Sequence, residues 1–150
     1  MKKFLSHGFC HLYCGIGWCG LASWLIWEVN IGYIFLGILG SFIIDLDHLL
    51  AAYVYARNTK YSQGIRKHLN KLEVADCLRF TLANHKEFTH LFSHNVYLLL
   101  LLILSIRYWQ DHPGWVFLAG AMVFHLLFDM IDDLIVKGRL NVNWFRFILK

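Results

Sequence analysis

An all-α fold, an integral-membrane four-helix bundle with a loop on its cytoplasmic side and an interfacial carboxy-terminal tail, is what this sequence predicts, and three observations predict it. Of 150 residues, 58% are hydrophobic and only 16% are charged, against roughly a quarter charged in an ordinary soluble domain. The apolar residues gather in four stretches, each reaching the roughly 20 residues that a bilayer core demands. The basic residues cluster at alternate ends of those stretches, as the positive-inside rule requires. A chain this short buries too little interior to hide so much Leu, Ile, Phe and Trp, and residues 1–150 read as a single transmembrane domain.

The first span runs from about Phe4 to Trp27. Met1-Lys2-Lys3 imitates the start of a signal peptide, but His7 and His11 interrupt the apolar core and the stretch is long, so a retained helix is expected. The second runs from Val29 to about Ala52, carries no charge from Val29 to Ile44, and then meets Asp45, Asp47 and His48 where the apolar run ends. Carboxylates placed there are costly unless they pair, line a cavity or bind a metal. Residues 55–84 are too polar to span. Ile65, Leu69, Leu72 and Leu82 share part of a helical face with Arg66, Lys67, Lys71 and Arg79 elsewhere, which suits either a segment lying on anionic lipid or a solvated loop. The third and fourth spans cover about Phe88 to Trp109 and Gly114 to Val136. Trp144, Phe145, Phe147, Ile148 and Leu149, with Arg146 and Lys150, read as an interfacial tail. Gly15, Gly17, Gly20, Gly37, Gly40 and Gly120 are expected to let helices approach closely.

Lys2 and Lys3 precede the first span, Arg57, Lys60, Arg66, Lys67, Lys71, Arg79 and Lys86 separate the second from the third, and Lys137, Arg139, Arg146 and Lys150 follow the fourth. Both termini and the long loop therefore belong in the cytoplasm at an inner or plasma membrane, and only Arg107 falls on the other side. This orientation gathers the polar ends of all four helices at one depth.

Residues three and four apart share a helical face, and the pairs His7/His11, Asp45/His48, His90/His94 and His125/Asp129 all have that spacing. Inward His and carboxylate groups on facing helices are how four-helix bundles build metal centres. Mostly nitrogen donors with carboxylate oxygens favour a divalent metal, zinc first and manganese or iron second, because calcium and magnesium prefer oxygen shells. Cys10, Cys14, Cys19 and Cys77 include no C-x-x-C pair and read as packing thiols, not as disulfides. The basic residues need no nucleic acid to explain them.

Three blocks carry a family resemblance. Ile43-Ile44-Asp45-Leu46-Asp47-His48-Leu49 resembles the D-x-D-H block of the YdjM-like, LexA-regulated membrane-bound metal-dependent hydrolases. His85-Lys86-Glu87-Phe88-Thr89-His90 is similar to that family's H-R-G-x-T-H-S block, and His125 to Asp129 to its H-x-x-x-D. At greater distance the resemblance extends to zinc-dependent phospholipase C and P1 nuclease. It implies a helical membrane hydrolase with Asp45, Asp47, His90, His125 and Asp129 as metal ligands, and His7 or His11 in place of the family's amino-terminal histidine. Lys86 stands where the family has arginine, Glu87 where it has glycine and Leu91 where it has serine; lysine keeps a positive charge but not the bidentate fork.

The expected activity is hydrolysis of a phosphoester or lipid-like substrate by a metal-activated water. Asp132, Asp133 or His85 would orient that water or move its proton, and Lys86 would stabilise negative charge. A non-catalytic membrane protein with a structural metal or haem site, and a metal or proton transporter, are the alternatives. The transporter reading fits less well, because the outward halves of the spans are apolar, and the Asp residues oppose haem.

Overall fold

The computed structural model describes residues 2–26, 30–84 and 91–145, with side chains from Leu12 onward except those of Ile26 and Leu82. Every regular element among the described residues is helical. α1 (Lys2–Ile26) and α7 (Pro113–Lys137) are both 25 residues long. Between them come α2 (Ile31–Ile43), α3 (Leu46–Leu50) with a π turn (Ala51–Tyr55), α4 (Lys60–Leu69), α5 (Val74–Asn84) and α6 (Val96–Tyr108); a 3₁₀ turn (Val142–Phe145) follows α7.

Local chemistry sets the helix ends. Asn30 and Asn95 cap α2 and α6, their side chains accepting from the Tyr33 and Leu98 amides at 3.0 and 2.8 Å. Pro113 opens α7 where a missing N–H costs nothing, and Gly138, at φ 68°, closes it in the left-handed conformation.

α7 is the central helix and packs on α2, α1 and α6. Small residues bring the backbones together: a Cβ at Gly40 would run into the Leu118 carbonyl, and one at Gly120 into the Trp18 indole. Gly15 and Gly37 are crowded in the same way, whereas Gly17 and Gly20 face open space, so the close-packing expectation fails at those two. Cys19, Ala22 and Phe117 fill the core at this end of the bundle. Ile44, Leu99, Leu102, Leu126 and Trp144 fill it further along.

The exterior is apolar. Ile31, Leu104 and Ile135 are 86%, 64% and 78% exposed, while His125 is fully buried. Two stretches, Ile31–Tyr55 and Pro113–Lys137, each of 25 residues, are long and apolar enough to cross a membrane.

The structure departs from the sequence reading in three places. α6 starts at Val96 and has 13 residues, so the described part of the third span is helical for only about 20 Å at 1.5 Å per residue; Leu91–Asn95 lies outside the helix because its backbone bonds elsewhere. The polar segment forms the α4–α5 hairpin, because Tyr61, Ile65, Leu69, Cys77 and Phe80 bury one shared face on Ala51, Ala52 and Ala56. Burial there pushes the Cys77 thiol above its ordinary range, an effect that a Thr81 hydrogen bond partly offsets. Trp144 does not lie at an interface; it is 2% exposed, packed inside the bundle. Residues 146–150 of the expected tail lie outside the described residues.

Candidate metal centre

The centre is built from three pieces of chain. α2 gives way after Ile43 to a tight turn at Ile44–Asp45, and this break places Asp45 and, one turn on, His48. The second half of α7 supplies His125 and Asp129, spaced i, i+4 on one face. His94 comes from the bent, non-helical segment before α6, which Asn95 terminates as the N-cap.

These groups converge. His125 Nε2 lies 3.1 Å from Asp129 Oδ2 and 3.6 Å from Asp45 Oδ1. His94 Nε2 lies 3.0 Å from the same Asp129 oxygen, and His48 Nε2 lies 3.8 Å from Asp45 Oδ1. The ligand atoms of Asp45, His94 and His125 all fall within 4.8 Å of one another. Donors about 2 Å from a tetrahedral cation sit about 3.3 Å apart, so the observed separations bracket the edge of such a shell.

The far side of each ring explains its orientation. His125 Nδ1 donates to the Ser41 carbonyl at 2.5 Å. His94 Nδ1 is 2.9 Å from Ser93 Oγ, and His48 Nδ1 is 2.9 Å from the Tyr61 hydroxyl. An imidazole whose single proton is held at Nδ1 presents a lone pair at Nε2. Lone pairs facing carboxylate oxygens repel them unless positive charge lies between, as a second proton on the ring or as a cation. Oxygen-anchored histidines with the other nitrogen aimed at a shared point are the outer-shell pattern of metal sites. On this chemistry, Asp45, His94 and His125 could hold a metal ion, with Asp129 facing both imidazoles and His48 beside them.

The other sequence-predicted residues divide into two groups. Asp47 is buried and adjacent, but its Oδ1 accepts from the Tyr55 hydroxyl at 2.5 Å, and its Oδ2 from the Ser93 amide and hydroxyl at 2.7 and 2.9 Å. Asp133 is buried one turn beyond Asp129 and accepts from the Trp144 indole at 2.9 Å and the Asn141 amide at 3.1 Å. Asp132 is partly exposed on the same helix. His85, Lys86 and His90 lie outside the described residues, as do the side chains of His7 and His11.

Spacing pairs His94 with His90 as a candidate chelating pair, whereas the family resemblance names His90 alone; the structure brings His94 to the site from a segment that is not helical. Trp144, expected in an interfacial tail, is another neighbour of the site; its ring centroid stands 6.3 Å from that of His94 in an edge contact. An indole N–H needs a partner when buried, which was the available signal.

Comparisons of the chain with protein-family models, with curated proteins and with solved structures find no match.

Proposed function

We propose that this chain is a membrane-bound metal-dependent hydrolase whose metal, zinc first, is held by Asp45, His94, His125 and Asp129. The observation that carries the reading is the set of three imidazoles, each anchored at Nδ1 by an oxygen and turned at Nε2 toward Asp45 or Asp129. Buried carboxylates without compensating charge are expensive. A divalent cation bound there would supply Lewis acidity, lowering the pKa of water and polarising an ester oxygen. Asp45, its side chain 34% exposed against 10% for Asp129 and 0% for His125, is the edge at which a substrate would meet the site. Two blocks of the family resemblance, Asp45–His48 and His125–Asp129, supply these residues, which supports a phosphoester or lipid-like ester as substrate.

The apolar exterior supports a membrane location, and the basic residues support cytoplasmic termini and a cytoplasmic α4–α5 hairpin. Gln63 and Gln110 are both exposed. A cysteine engineered at Gln63 is expected to resist an impermeant thiol reagent in intact cells while one at Gln110 reacts; the reverse pattern refutes the orientation.

The chemistry is tested on purified protein by metal analysis and by a panel of phosphoesters and membrane lipids. His125→Ala and Asp45→Ala should both lower metal content and abolish metal-dependent turnover. Unchanged occupancy in both variants sinks the site. The deep burial of His94, His125 and Asp129 favours a second reading, a structural metal, which predicts full occupancy with no turnover of any phosphoester.

A further inference from the structure

We propose that Asp47 is a positioning residue for the metal centre, acting on His94 through Ser93, and not a metal ligand. The inference rests on the metal reading above and concerns which carboxylate touches the cation. Asp47 is 6% exposed. Its two oxygens receive three donors, the Tyr55 hydroxyl, the Ser93 amide and the Ser93 hydroxyl, at 2.5, 2.7 and 2.9 Å. Tyr55 is itself held, because the Phe92 amide donates to its oxygen at 3.1 Å. A carboxylate so engaged has its lone pairs directed at donors.

The proton inventory then runs in one direction. The Ser93 hydroxyl has a single hydrogen and three acceptors in reach: Asp47 Oδ2 at 2.9 Å, His94 Nδ1 at 2.9 Å and the Ile44 carbonyl at 3.2 Å. The carboxylate is the strongest acceptor, since charge-assisted hydrogen bonds are roughly twice as strong as neutral ones. With its hydrogen on Asp47, Ser93 Oγ can only accept from His94, which fixes the proton on Nδ1. His94 Nε2 is left with its lone pair toward Asp129, 3.0 Å away. The Ser93 amide bond to the same carboxylate fixes the backbone that carries His94. Asp47 thus sets both the tautomer and the position of a ligand that it does not touch.

The test uses the full chain in detergent, with zinc affinity measured by chelator competition and cobalt as a spectroscopic probe. Asp47→Asn and Ser93→Ala should each weaken zinc binding by about 10–100-fold, the range for loss of an outer-shell partner. The double variant should bind no more weakly than the worse single one, because both cuts fall on one chain of bonds. Ser93→Thr, which keeps the hydroxyl, should restore binding, and the cobalt spectrum should show an unchanged number of ligands in Asp47→Asn. Wild-type affinity in Ser93→Ala, losses that multiply in the double variant, or a ligand missing from the cobalt spectrum of Asp47→Asn would each overturn the proposal while leaving the metal site standing. Absence of zinc binding by the wild type overturns the metal reading itself. Should Asp47→Asn fail to fold, the contrast between Ser93→Ala and Ser93→Thr carries the decision alone.

Discussion

Between Val116 and Val123, α7 buries Val116, Phe117, Ala119, Gly120, Ala121 and Val123; between His125 and Asp133 the same helix buries His125, Leu126, Asp129 and Asp133. The first half meets α1 and α2 through shape, with backbones brought close by glycine and the Trp18 indole donating to the Val116 carbonyl at 3.1 Å. The second half adds charge to its apolar contacts, and His125, Asp129 and Asp133 each have a named partner there. The contrast separates two kinds of tolerance. Shape contacts degrade in proportion to the volume changed, whereas a buried charge that loses its partner becomes a net cost.

The largest effect is expected where charge is removed. Asp129→Ala takes away the oxygen that faces both His94 and His125. It should empty the metal centre and destabilise the fold by about 3–5 kcal/mol, the range for breaking a buried pair, read by metal analysis and by unfolding in detergent. A variant that retains both metal and stability would erase the distinction between the two halves.

The shape-packed half is broken by volume. Gly40→Val drives side-chain atoms toward the Leu118 carbonyl and the Ala121 methyl, and overpacking of this kind costs about 1–3 kcal/mol. The folded fraction should nonetheless carry zinc at close to wild-type affinity, since Gly40 is no ligand and the metal centre is reached only through the next residue, Ser41, whose carbonyl holds His125 Nδ1. Loss of metal per folded molecule would mean that helix spacing, and not local anchoring, sets the site.

How much of this was legible differs between the same regions. The ends of α1 and α7 fall within two residues of those that the hydropathy indicates, because bilayer-length apolar runs are long-range, redundant signals. His125, Asp129 and Asp45 were found by helical spacing because they do sit on helices or at a helix end. Asp47 is named as a ligand only by the family resemblance, and no spacing rule reports that its oxygens meet Tyr55 and Ser93. His94 is named by its spacing from His90, but its route to the site is not legible, because Leu91–Asn95 is not helical and no local pattern reports that an amide will bond to a distant Asp47 or, at Leu91, to Asn143 at 2.9 Å. The hairpin was diluted by its lysines and arginines. Its buried positions, Tyr61, Ile65 and Leu69, recur every four residues, but their partners Ala51 and Ala52 lie on another element.

A smaller effect sharpens the charged half. Trp144→Phe keeps the ring against His94 but removes the indole donor to Asp133. Hydrogen bonds to charged groups contribute about 1.5–3 kcal/mol. The lower end applies here, because the Asn141 amide still holds the same oxygen. Zinc affinity should change little if Trp144 only covers the site.

The smallest expected effect lies at the joint between the non-helical segment Leu91–Asn95 and α6. The Asn95 side-chain oxygen accepts from the Leu98 amide at 2.8 Å, and its amide nitrogen donates to the Phe92 carbonyl. N-cap removal costs about 1 kcal/mol, so Asn95→Ala should lower stability by that amount. Asn95→Asp, which keeps the accepting oxygen, should cost less. The two variants ask which end of the segment positions His94. If the Asp47–Ser93 bonds hold it from one side, fraying the first turn of α6 leaves His94 in place, and zinc affinity in Asn95→Ala stays within a few-fold of wild type. A loss of metal as large as that of Asp129→Ala would instead put the control of His94 in the helix cap, and would move the boundary between the charged and shape-packed regions into α6.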